Sequence, residues 1–195
     1  MFQRNERYDN EAAKIRKGYN FSYTNPLNPF VLAHSLGIKV IEPNDISGVS
    51  SEDLEVLRSI GADWSGLSFS LPDGRAIVIL NPFHDQTRKN ITLMEEICHS
   101  IFNHKAKTKV RLLGFQKMNF LEFSKREEKE AYHIGAAVLV PYKALDLLVK
   151  KHKNIKEIGS HFGVSPELVK MRLQVTNLLK LYKAMQNVRE VLEYA

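Results

Sequence analysis

The stretch from Gly66 to Asn103 constrains this chain most, because its apolar period changes there from two to 3.6. Gly66–Leu71 and Arg75–Leu80 alternate like strands, and Pro72-Asp73-Gly74 between them is hairpin chemistry. From Thr87 to Asn103, Ile91, Met94, Ile97, Cys98, Ile101 and Phe102 instead fall on one helical stripe. A hairpin that feeds an amphipathic helix does not belong in a four-helix bundle.

That helix carries Glu95, Glu96 and His99 at its middle. Residues four apart share a helical face, so Glu95 and His99 point the same way with Glu96 beside them. The spacing is that of a zinc-peptidase His-Glu-x-x-His helix, with Glu95 in place of the first imidazole. In such a helix the intervening acid, here Glu96, handles a water proton and the flanking residues hold the metal. Carboxylate oxygen also ligates zinc. An added anionic ligand weakens the metal as a Lewis acid and makes harder divalent ions such as manganese more competitive.

Such a site needs a third ligand from elsewhere, and the segment after Phe123 offers several acids. Ser124-Lys125-Arg126-Glu127 is a capping-box pattern that opens a second helix, closed by Pro141. Its apolar stripe is Ala131, Ile134, Val138 and Leu139. At about 100° per residue, Glu128 falls roughly 50° from the buried direction, and Glu130 and His133 more than about 100° away. Glu128 is therefore the favoured ligand and Glu130 the fallback. Glu96-x-x-His99 and Glu130-x-x-His133 also form a di-iron-like pair of units, but His133 lies opposite the apolar stripe and the hairpin argues against the bundle such sites need.

The remaining punctuation is local. Glu11–Gly18 and Asn28–Leu36 read as helices, the second stopped by Gly37. Ile38–Glu42 alternates like a strand, and Ser51 is placed to cap a helix over Glu52–Ser59. Lys109–Phe123 reads as irregular or extended. Helices are expected over about 142–151, 154–162, 165–176 and 178–194. This order, a mixed part followed by a helical tail, is α+β.

Composition is that of an ordinary globular chain: 195 residues, 44% hydrophobic and 26% charged, which excludes global disorder. The single cysteine, Cys98, excludes an internal disulfide framework. Met1–Tyr8 has no apolar core segment, and the longest apolar run, Ile134–Pro141, is too short to span a bilayer. A cytoplasmic protein with no membrane partner is expected. From Tyr142 onward eight Lys and two Arg face one Asp and four Glu, so this last quarter carries a charge of 10 − 5 = +5 out of +6.

Taken in order, these features resemble the ImmA/IrrE family of metallo-endopeptidases. The resemblance runs through Leu36-Gly37-Ile38-Lys39-Val40, Ile77-Val78-Ile79-Leu80-Asn81, Arg88 before Ile91-Thr92-Leu93, the Glu-Glu-x-x-His helix, and Glu128 to Pro141. It covers roughly residues 10 to 175. It implies a gluzincin-type, zincin-like peptidase domain with a small antiparallel sheet over residues 1–142. A helical segment with a helix-turn-helix-like unit follows over 143–195. It further implies a Zn2+ ion (Mn2+ or another divalent ion being an alternative) held by His99, Glu128 and Glu95, with Glu96 as general base. The implied substrate is a helix-turn-helix transcriptional repressor, in stress or mobile-element regulation. Glu95 stands at the family's first zinc His, and Tyr132 at a usual Asn.

In the tail, Gly163, Ser165 and Pro166 punctuate a helix-turn-helix. As a DNA reader the unit would turn Glu167, Lys170 and Arg172 to the groove or phosphates; otherwise it packs the peptidase core. The alternative to an active enzyme is a lapsed peptidase that acts as a DNA- or protein-binding regulator.

Overall fold

A computed structural model describes residues 6–43, 51–52, 55, 64–70, 76–105, 107–113 and 116–193. The expected turn Pro72-Asp73-Gly74 lies outside them. So does most of the expected helix 52–59, of which 52 and 55 are helical, as is the expected cap Ser51. The chain forms two compact units, residues 28–132 and residues 1–27 with 133–195.

The 28–132 unit runs in the order of a short helix, a strand, a hairpin, a long helix and a second hairpin. Helix α1, Glu6–Gly18, belongs to the other unit. Helix α2, Pro29–Ser35, starts at Asn28, whose side chain accepts from the Phe30 amide. It ends at Leu36-Gly37, where Gly37 takes φ 70° and turns the chain into strand β1, Lys39–Ile41. Strands β2, Gly66–Ser70, and β3, Ala76–Leu80, pair antiparallel, with Ser68 opposite Val78. The three-stranded sheet has the order β1-β3-β2, and β1 runs parallel to β3, with Val40 opposite Val78. The expected antiparallel sheet is thus corrected to a mixed one. The reason is the long connection between Ile41 and Gly66, which permits the crossover that parallel neighbours require.

Helix α3, Gln86–Ile101, is capped by Asp85 and packs on β2, β3 and α2. Of the predicted stripe, Ile91, Met94, Ile97 and Cys98 are buried while Ile101 and Phe102 at its end are half-buried; Leu93, outside the stripe, is buried as well. Gly66 permits close approach: a Cβ there would stand 2.6 Å from Thr92 Cγ2. The segment expected to be irregular or extended is extended: it forms a second hairpin, β4 over Lys107–Leu113 and β5 over Gln116–Glu122, with Lys107 opposite Glu122. Helix α4, Lys125–Leu139, carries the chain out of this unit at Tyr132.

The other unit is helical. It holds α1, the end of α4, α5 (Tyr142–Lys150), α6 (Ile155–Phe162), α7 (Pro166–Val175) and α8 (Leu179–Glu193). Arg16 of α1 is buried and donates to the carbonyls of Ser22, Asn25 and Val138. Arg172 of α7 donates to the Val140 carbonyl and pairs with Asp9. These contacts group α1 with the tail, so the compact units divide near 132 rather than at 142. The helix-turn-helix punctuation is present: Asn154 and Glu157 form a capping box, Gly163 takes φ 64°, and Ser165 caps α7 ahead of Pro166. Among the described residues no single helix is long and apolar enough to cross a membrane; α4 and α5 meet that measure only jointly, across a 50° bend.

Candidate active site

Asp85 fixes the start of α3 by accepting from the Arg88 amide at 2.8 Å. The helical repeat then brings Arg88, Glu95, Glu96 and His99 to related faces. His99 is buried, at 4% exposure, and Glu95 and Glu96 are half-buried. Ser68 of β2 donates its hydroxyl to Glu96 Oε2. Burial raises the Glu96 carboxyl above its ordinary range, and Glu128 adds to this; the Ser68 hydrogen bond and His99 oppose it. Glu95 is pushed up to about 8, first by burial and then by the charges of Glu128 and Glu96, with Arg88 opposing.

The start of α4 sorts its acids by task. Glu127 completes the capping box: Ser124 N donates to its Oε2 at 3.0 Å, and its own amide donates to Ser124 Oγ at 3.3 Å. Lys105 N donates to its other oxygen at 3.1 Å. These hydrogen bonds hold the Glu127 carboxyl down at about 2. Glu128 is free of that duty, and its Oε2 lies 3.5 Å from His99 Nε2. Glu130 is half-buried and contributes to the field at His104. His133 stacks on Tyr8, with ring centroids 5.4 Å apart, so it serves the helical unit.

Two residues that sequence reasoning missed complete the surroundings of His99. Phe123 stacks on its ring at a centroid distance of 3.6 Å. His104 brings its Nδ1 to 2.9 Å from His99 Nδ1. Extending α3 as an ideal helix to Asn103 puts His104 off the site face. In the structure α3 stops at Ile101, Asn103 takes φ 50°, and the His104 amide donates back to the His99 carbonyl at 3.0 Å. Asn is among the few residues that adopt the left-handed conformation readily, and that was the available signal.

The proposed DNA-facing residues separate. Glu167 and Lys170 are exposed on α7. Arg172 is 2% exposed and committed to Val140 and Asp9, so its assignment to a groove or phosphate is corrected. Two residues apart on a helix, Lys170 and Arg172 point roughly 200° apart, so Lys170 faces outward while Arg172 turns in to Asp9 of α1.

The profile of Peptidase M78, described as the IrrE N-terminal-like domain, matches residues 33–174. The chain belongs to the IrrE N-terminal-like peptidase family. A solved structure of a Mycobacterium tuberculosis transcriptional regulator is similar at 14% identity with a TM-score of 0.49; the match covers 86% of this chain and 46% of that one. Comparison with curated proteins finds no match.

The IrrE-like family implies a divalent metal, and the donors can be tested against one. The His99 Nε2–Glu128 Oε2 separation of 3.5 Å is close to the edge of a tetrahedron of about 2.1 Å bonds, roughly 3.4 Å. Glu95 is raised first by burial and then by repulsion from Glu128 and Glu96, and a cation among these carboxylates would relieve that repulsion. Among the described residues no three His, Cys, Asp or Glu side chains converge on one point. The donors therefore fit a divalent ion in kind, with one pair already at ligand spacing.

Proposed function

We propose that this IrrE-like chain is a metal-assisted endopeptidase in which His99, Glu128 and Glu95 hold the ion and Glu96 moves the proton. The observation that carries this reading is Glu96 itself: a half-buried carboxyl oriented by Ser68 beside His99. A bound divalent ion would supply Lewis acidity to a peptide carbonyl and to a water. Ser68 holds one Glu96 oxygen and leaves the other to accept a proton from that water. The raised affinity of Glu96 for a proton suits a general base better than an ordinary carboxylate, because it lies nearer working pH. The same group then returns the proton to the leaving amine. With two carboxylates and one imidazole as donors, manganese competes with zinc better than at a two-His site. A helix-turn-helix repressor is the substrate class we infer from the family resemblance.

Glu96→Gln is expected to retain the ion, read by mass spectrometry, and to lose about 100-fold or more of the cleavage of a fluorogenic peptide library. Equal cleavage by the variant would remove Glu96 from the chemistry.

A second reading, a regulator that binds DNA through its tail, is favoured by the basic excess after Tyr142 and by exposed Lys170 on a capped α6–α7 unit. It expects duplex binding that weakens steeply between 50 and 200 mM salt. A gel-shift series without binding at the low end sinks it.

A further inference from the structure

We propose that Arg88 is a specificity-determining residue of this site, its guanidinium taking an acidic side chain of the bound peptide. The inference rests on the peptidase reading and names the substrate chemistry of that site. At about 100° per residue, Arg88, Glu95 and His99 fall within roughly 40° of one another on α3. Arg88 therefore lies on the face that carries the candidate ligands, two turns nearer the start of the helix, and it is exposed there. It opposes the upward shifts that burial imposes on the Glu95 carboxyl and the Tyr132 hydroxyl, so its charge is felt at both.

The cation is anchored but not neutralised. Its Nη2 donates to Ser65 Oγ at 2.7 Å, a partner without charge. Among the described residues no carboxylate forms an ion pair with it. Asp85, one turn earlier, is committed to the helix cap through the Arg88 amide and the Thr87 hydroxyl. The neighbouring Lys89 gives the contrast, because Glu42 pairs with it. A guanidinium presents five N–H donors in a planar fork that matches a carboxylate bidentately, and Ser65 uses only one of them. Seven residues of helix span about 10 Å, roughly the rise of three residues of extended peptide. The recognised acid is therefore placed about three positions from the bond that the site would cleave.

The test is peptide binding, kept apart from turnover by the Glu96→Gln background. Fluorescein-labelled peptides of about ten residues, with one Glu or one Gln moved through an otherwise neutral sequence, are titrated into the full chain at fixed salt and read by anisotropy. Glu in place of Gln is expected to tighten binding about 10-fold. Arg88→Gln, added to that background, should abolish the preference, and Arg88→Lys should keep part of it, having the charge without the fork. Arg88→Glu should turn the preference toward peptides with Lys instead. No preference for Glu, or one that survives Arg88→Gln and so belongs to the basic tail, overturns the proposal. Cleavage of the same peptides by the parent protein, supplied with Zn2+ or Mn2+, separates the two readings. Cleavage without an Arg88-dependent preference defeats this proposal alone. An Arg88-dependent preference in a parent that cleaves none of the peptides supports the acid-binding role and defeats the peptidase reading instead.

Discussion

Glu95 carries the clearest consequence at the scale of single residues. Its carboxyl is raised from 4.5 to about 8 by burial and by Glu128 and Glu96. In the metal-free protein the folded state therefore keeps a proton that the unfolded chain releases. Between those two values the unfolded state binds fewer protons, so this group's contribution to stability falls as pH rises and levels off above about 8. Glu95→Gln should remove that slope. Its unfolding free energy from urea titration is expected to exceed the parent's at pH 9 by an amount on the order of a few kcal/mol, and to approach it at pH 5. An unchanged slope would mean that Glu95 is solvated. Glu127 shows the contrast: similar sequence, opposite environment, and a carboxyl held low by its capping bonds.

Among the elements, the contact of α3 with β2 decides whether the site residues meet. Gly66 makes it possible, because a methyl there would meet Thr92 Cγ2 at 2.6 Å on a buried face. Gly66→Ala should cost about 1–3 kcal/mol in denaturant unfolding. It should also loosen the bond from Ser68 to Glu96, which lies on the same pair of elements. Adding Thr92→Ser removes the opposing methyl and should recover much of the loss. A Gly66→Ala protein as stable as the parent would show that α3 can shift without strain. The capping boxes at Ser124–Glu127 and Asn154–Glu157 act more locally, each setting where a helix begins.

On the scale of the whole molecule, long-range bonds from buried arginines knit the helical unit together. Arg172 joins α7 to α1 through Asp9, at 2.6 Å, and to the end of α4 through the Val140 carbonyl. Arg16, whose guanidinium is brought down to about 10 by burial, collects carbonyls from three places in the chain. Arg172→Met removes the cation facing a buried carboxylate and should cost about 3 kcal/mol or more. The double variant with Asp9→Asn should lose less than the sum of the two single changes. Full additivity in urea unfolding would show that the pair is not coupled.

Local order was written in the sequence. Caps at Asn154 and Ser165, the stop at Gly163, the α3 stripe and the shared face of Glu95, Glu96 and His99 all rest on interactions within one or two turns. Periodicity and turn chemistry report such interactions directly. The tertiary structure decided the rest: β1 beside β3, Ser68 on Glu96, Glu128 against His99, His104 and Phe123 around its ring, and Arg172 turned inward. Each depends on which distant surface arrives opposite a given residue. For Arg172 the deciding partner lies on the first helix of the chain, and for His104 a single left-handed residue redirects the backbone; neither is encoded in the spacing of the residues themselves.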